Sequence, residues 1–139
     1  MHTHLIFWPV LAQVLLTISM FGLLGWRKAQ ALKAGGIDLK AVKLNNNAWP
    51  DSVVQVGNNI NNQFETPVLF YILAVALFML GAVDTVVIAL AWLYVGLRVA
   101  HAVIHVTTNR VPMRMKVFTA GMLVLIILAG MLGWQLTLL

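Results

Sequence analysis

Long apolar runs separated by short polar connections set the pattern of this chain. Four runs stand out: Leu5–Trp26, Phe64–Val83, Thr85–Val106 and Val117–Leu139. Each is about 20 residues long, enough at ~1.5 Å per residue to cross ~30 Å of hydrocarbon as a helix. The runs are apolar on every face, so a water-soluble helical bundle would have no side to turn outward. The pattern predicts an all-α integral membrane protein, a four-helix bundle with helices at about 5–26, 52–83, 85–107 and 116–139. The second and third runs are joined by little more than Gly81 to Asp84. That link makes them antiparallel neighbours and implies up-down-up-down order in one four-span domain over residues 1–139. No basic segment precedes the first run, and it exceeds the apolar part of a usual signal peptide, so it is read as a helix of the mature protein.

The longest polar stretch, from Arg27 to Asn62, contains its own signals. Gly35-Gly36 and Asn45-Asn46-Asn47 are breakers, and Ala29–Lys33 extends the first helix beyond the membrane. Trp49-Pro50-Asp51-Ser52 reads as a helix start, with Ser52 and Gln55 spaced as a capping box. Pro67 falls inside the predicted second helix and is expected to kink it.

Composition agrees with the membrane reading: 61% hydrophobic, 9% charged, mean hydropathy +0.91. Charge adds an orientation. Arg27, Lys28, Lys33, Lys40 and Lys43 lie in the first connection, and Arg110, Arg114 and Lys116 in the third. The N-terminus and the second connection carry no Lys or Arg. The positive-inside rule then places connections one and three in the cytoplasm and both termini outside. The net charge of +5 is a topology signal, and its cations face anionic lipid head groups; no nucleic-acid partner is expected. The absence of cysteine excludes disulfides, thiolate metal sites and a cysteine nucleophile.

Polar residues inside the runs are the candidates for chemistry. At about 100° per residue, Gln55, Asn58, Asn62 and Glu65 share one face of the second helix, with Val53, Val56, Ile60 and Phe64 opposite. Tyr94, Arg98, His101 and His105 form a similar stripe on the third. An ionised Arg98 at that depth costs at least ~2.5 kcal/mol, so it needs a partner, and Glu65 on the neighbouring helix is expected to pair with it. Such stripes either glue helices together or line a site, and both readings stand for Glu65 and Arg98. The four-residue spacing of His101 and His105 permits a metal or haem site, but no convincing further ligand accompanies them besides Glu65, and hydrogen-bonded histidines are expected instead. Arg110, Arg114 and Lys116 either anchor the chain at the membrane surface or clamp an anion. Gly22, Gly25, Gly121, Gly130 and Gly133 would allow close helix packing.

Two segments together resemble the MAPEG family, the membrane-associated proteins in eicosanoid and glutathione metabolism. Asn62-Gln63-Phe64-Glu65 followed by Pro67-Val68-Leu69-Phe70 is similar to the family's N-x-x-E signature. Arg98-Val-Ala-His101-x-x-x-His105, then Arg110-Val-Pro112-x-Arg114, is similar to the end of helix three and start of helix four in the prostaglandin E synthase branch. The resemblance implies a homotrimer in which glutathione, as co-substrate, lies between subunits and meets small lipophilic electrophiles from the membrane lipids. By position it implies that Asn62, Glu65, His101, His105 and Arg110 line the glutathione pocket and that Arg114 assists the thiolate as the catalytic residue. Three positions depart from the family pattern: Asn58 replaces an arginine, Met115 a serine and Phe118 a tyrosine. The expected function is a glutathione-dependent transferase or peroxidase; the alternative is a non-enzymatic scaffold, lipid-binding protein or subunit of a larger membrane complex. The charge placement carries a direct test. A reporter active only outside the cytoplasm, fused after Leu139, is expected to be active; a cytoplasmic signal from that fusion overturns the orientation.

Overall fold

Local chemistry sets where each helix starts and stops in the computed structural model, which describes residues 2–139. A short 3-10 turn, Thr3–Ile6, leads into α1 (Phe7–Ala34). At 28 residues α1 is about 42 Å long, so it outruns the hydrocarbon and carries its last turns beyond it. The connection that follows contains a four-residue helix, α2 (Leu39–Val42), whose start is capped by the Asp38 carboxylate accepting from the Lys40 and Ala41 N–H groups. Then come α3 (Asp51–Gln63), α4 (Thr66–Met79), α5 (Thr85–Val106) and α6 (Val111–Leu136). Among the described residues, four stretches are long and apolar enough to span a membrane: Thr3–Ala34, Asp51–Met79, Thr85–Val106 and Val111–Leu136. The protein is an all-α, four-helix membrane bundle.

The second span differs most from its expected form. It is two helices, broken at Phe64 and Glu65, where Glu65 has φ −95° and ψ −103°. Pro67, in the first turn of α4, has no N–H for the Gln63 carbonyl, and its ring crowds that carbonyl, so the break falls just upstream. The expected Ser52–Gln55 capping box does not form: α3 starts behind Pro50 with no side-chain cap. Instead the Ser52 carbonyl accepts from Arg27 Nη1 at 2.7 Å, and Gln55 Nε2 donates to the Thr107 carbonyl at 3.1 Å. The last span starts at Val111 rather than near 116 because Pro112 supplies a favourable first turn that hydropathy does not register. Arg114 and Lys116 are therefore helical residues of α6.

The turn between α4 and α5 is as short as expected. Gly81, at φ 64°, ends α4, with Ala82 N–H reaching the Leu77 carbonyl at 2.9 Å, and Asp84 Oδ1 caps α5 by accepting from Val87 N–H at 2.8 Å. α5 packs along α6, and α1 packs on α3 and α5. Gly121 is the one close approach among the glycines singled out: a side chain there would stand 3.6 Å from the Tyr94 ring, while Gly22, Gly25, Gly130 and Gly133 face open space.

Packing divides the bundle into two halves. Around the α4–α5 turn lies an apolar core of Ile6, Phe70, Ala74, Leu77, Val87, Ala91, Tyr94, Val124, Leu125 and Leu128. Toward the basic end the core gives way to polar side chains. Gln13 Nε2 donates to Gln63 Oε1 at 2.9 Å, Gln63 Nε2 to Asn59 Oδ1 at 2.8 Å, and Asn59 Nδ2 to the Ala102 carbonyl at 3.3 Å. All three side chains are buried, so this chain of amides ties α1, α3 and α5 where water and lipid are excluded. The polar stripe anticipated on this helix divides: Gln55 and Asn62 are half-buried and bond to α5 or its cap residue Thr107, while Val53, Val56 and Ile60 are buried on the face opposite. Asn58 and Glu65 are exposed, as is Phe64, which meets Phe21 edge-on instead of entering the core.

Gln63 sits in the middle of the amide chain, so Gln63→Leu strands partners on both sides. That variant is expected to lose about 1–2 kcal/mol of stability in detergent, read as a lower unfolding midpoint in an SDS titration, whereas Asn58→Leu on the exposed side leaves the midpoint nearly unchanged. Equal midpoints for parent and Gln63→Leu would show that the amides contribute nothing.

Candidate functional site

The stripe on α5 faces inward as a unit: Tyr94, Arg98, His101 and His105 are all buried. Tyr94 stacks on Phe70 and donates its hydroxyl hydrogen to Thr66 Oγ1 at 3.1 Å, which closes the apolar half of the bundle. One turn further Arg98, only 2% exposed, lies about 12 Å inside the end of α5. A cation there needs an acceptor, and Asn62, in the last turn of α3, supplies one.

Arg98 Nη2 donates to Asn62 Oδ1 at 2.6 Å, and Asn62 Nδ2 donates to Glu65 Oε2 at 3.0 Å. The expected direct ion pair between Glu65 and Arg98 is thus replaced by a relay with the Asn62 amide between them. The amide suits the position because it has one acceptor for the cation and donors for the anion. With α3 ending at Gln63, Glu65 falls in the break, exposed at the chain surface, while Arg98 stays buried.

Asn62, His101, Arg114, Met115, Phe118 and Thr119 line an open cleft of about 240 Å³ between α3, α5 and α6. Of the residues singled out in the sequence, three come together here: Asn62, His101 and Arg114. Glu65 reaches the cleft through Asn62. His105 stacks edge-on behind His101, with ring centroids 5.5 Å apart, and is not in the lining. Arg110 is exposed at the start of α6 and does not line it either. Asn58 lies in a separate crevice with Lys28, Trp49 and Asn61. Met115 and Phe118 are both in the cleft wall, so its helix-four side offers no hydroxyl at those positions; Thr119 is the hydroxyl present. The Nδ1 atoms of His101 and His105 and Nε of Arg98 are buried and unpartnered within the chain. No three His, Asp or Glu side chains gather as metal ligands among the described residues.

Two features of the site went unnoticed in the sequence. Arg27 spans the basic end, donating to the Ser52 carbonyl and, through Nη2 at 2.7 Å, to the Val106 carbonyl. A cation on the last carbonyls of α5 opposes the negative end of that helix dipole and fixes α5 against α1 and α3. Asn109, in the turn between α5 and α6, accepts from Arg114 Nη1. Beside the cleft, and sharing Met115 and Thr119 with it, an apolar groove of about 640 Å³ runs along α6 past Val111, Pro112, Lys116, Ala120 and Leu123.

A sequence model of the MAPEG family matches residues 5–134, nearly the whole chain. The chain belongs to the MAPEG family. No curated protein and no solved structure matched it. The match runs from α1 to α6, so the cleft and all but the outermost residues of the four spans fall within the MAPEG region. Asn62 and Glu65, on which the resemblance to the MAPEG signature rested, are the residues that answer the charge of Arg98.

The relay gives Asn62 a measurable role. Asn62→Leu removes the acceptor from a buried cation and is expected to cost about 1.5–3 kcal/mol in an SDS unfolding titration. Glu65→Gln keeps an acceptor for Asn62 Nδ2 and is expected to cost much less. If Glu65→Gln is the more damaging of the two, the carboxylate rather than the amide supports Arg98.

Proposed function

We propose that this MAPEG protein is a glutathione-dependent transferase or peroxidase acting on lipophilic electrophiles, working as a homotrimer with its sites between subunits. The observation that carries this reading is the Arg114 guanidinium in an open cleft with His101 and Asn62, next to an apolar groove along α6. A tripeptide with two carboxylates and a thiol suits a cleft whose charged side chain is cationic. The cleft of a single chain, about 240 Å³, falls below the ~300–1,000 Å³ usual for small-molecule sites, and a neighbouring subunit would complete it.

In the proposed reaction Arg114 holds the glutathione sulfur as thiolate, since a nearby cation lowers a thiol's pKa. His101 and Asn62 donate or accept hydrogen bonds along the peptide. The electrophile enters by the α6 groove. In conjugation, sulfur forms a bond to carbon as the leaving group departs with its electron pair. In peroxide reduction, sulfur attacks one peroxide oxygen and an alcohol leaves; a second glutathione then gives the disulfide and water. The non-enzymatic reading, a membrane scaffold, lipid-binding protein or complex subunit, draws on Phe118 and Met115, which supply no hydroxyl at their own positions and leave Thr119 as the cleft's hydroxyl, and on Asn58, which brings no cation.

The test is conjugation of glutathione to a reactive aromatic halide, and reduction of a lipid hydroperoxide, by the protein in detergent. Arg114→Ala is expected to abolish a low parent activity. Asn58 lies outside the cleft of its own chain, so Asn58→Arg acts on a glutathione only if a neighbour brings that crevice alongside. On the shared-site reading it tightens glutathione binding by about ten- to a hundred-fold, the effect of one added charged hydrogen bond. If the parent shows neither activity, and millimolar glutathione leaves its melting temperature unchanged, the scaffold reading replaces the enzyme.

A further inference from the structure

We propose that Asn109 is a positioning residue that fixes the Arg114 guanidinium so that its remaining N–H groups face the cleft. The backbone is the first support. Asn109 has φ 51°, and it is the one non-glycine residue with positive φ among the described residues. Asparagine tolerates this left-handed conformation better than most side chains. The conformation is anchored, because Asn109 N–H donates to the Ile104 carbonyl near the end of α5 at 2.7 Å. The turn therefore has a set geometry relative to the helix that carries His101.

The side chain is the second support. Asn109 Oδ1 accepts from Arg114 Nη1, reaching over the first turn of α6. A guanidinium has five N–H groups in a planar fork, so holding one end sets the direction of the rest. Among the described residues the Arg114 guanidinium makes no other hydrogen bond, and Arg114 lines the cleft with Asn62 and His101. A free arginine side chain samples many rotamers and must lose that freedom when an anion binds. Here α5 sets Asn109, and Asn109 sets Arg114. What Arg114 then does to a bound thiol rests on the function proposed above; that Asn109 holds it does not.

Three variants separate backbone from side chain. Asn109→Gly keeps the left-handed backbone and removes the acceptor. Asn109→Asp keeps an acceptor and adds charge. Arg114→Lys removes the fork. The first measurement needs no activity: modification of arginines by phenylglyoxal, followed peptide by peptide by mass spectrometry, with exposed Arg110 as internal reference. Relative to Arg110, Arg114 is expected to react about three- to ten-fold faster in Asn109→Gly, the effect of losing one partly exposed hydrogen bond. In Asn109→Asp it reacts at the parent rate or slower. Melting temperatures of both variants stay near that of the parent. Equal Arg114 rates in parent and Asn109→Gly overturn the proposal.

The second measurement reads the consequence. With glutathione bound, the pH midpoint of thiolate absorbance is expected to rise in Asn109→Gly, move further in the same direction in Arg114→Lys, and return toward the parent value in Asn109→Asp. A merely structural turn residue would leave that midpoint in place. A parent protein without glutathione binding defeats the proposed function, and the labelling rates still decide the role of Asn109.

Discussion

An arginine held far inside a membrane span constrains everything around it. Arg98 is 2% exposed and has no carboxylate in direct contact among the described residues, so its charge is answered by an amide oxygen at 2.6 Å and, behind that amide, by Glu65. Asn62 stands in the last turn of α3, and just past that turn Glu65 lies within 3.0 Å of its amide. Pro67 breaks the helix there. The same relay commits Asn62 to one orientation and leaves its side chain on the wall of the cleft. Charge burial and cleft are thus one arrangement rather than two features.

The division of the bundle follows from that arrangement. Around the α4–α5 turn the helices meet through a dry core of aliphatic and aromatic side chains. Lipid tails are as apolar as those side chains, so packing alone discriminates weakly among helix registers in a membrane. The amide chain of Gln13, Gln63 and Asn59, and the Arg27 bonds at the basic end, add directional contacts that a shifted register would lose. The frame they make holds His101 on α5 and Arg114 on α6 in the lining of one cleft. The frame says where a ligand would sit; the identity of that ligand rests on the cation, the groove and the family.

Much of this was legible in the amino-acid order. The spans follow from hydropathy summed over about 20 residues, a signal strong enough to survive single polar positions. The inward face of α5 follows from the spacing of Tyr94, Arg98, His101 and His105, because the ionisable side chains of the helix fall on one side only. The second span was harder. Asn58, Asn59, Asn61, Asn62 and Gln63 crowd six positions with polar side chains, so periodicity favours no face, and a stripe through Gln55, Asn58, Asn62 and Glu65 leaves out the buried Asn59 and Gln63. The direct pairing of Glu65 with Arg98 rests on their shared depth in the bundle, and depth does not show that the Asn62 amide stands between them. Asn109 gave no signal beyond its residue type, since a left-handed turn residue and an arginine five positions on are connected only in three dimensions.

The central claim is that the cleft beside Arg114 is one part of a shared glutathione site. An electron-microscopy map of the protein in lipid nanodiscs with millimolar glutathione tests it most directly. The account predicts three chains around one axis, with tripeptide density touching Arg114, His101 and Asn62 of one chain and a surface of its neighbour. A single or paired chain, or a cleft filled by an ordered acyl chain in the presence of glutathione, would contradict it.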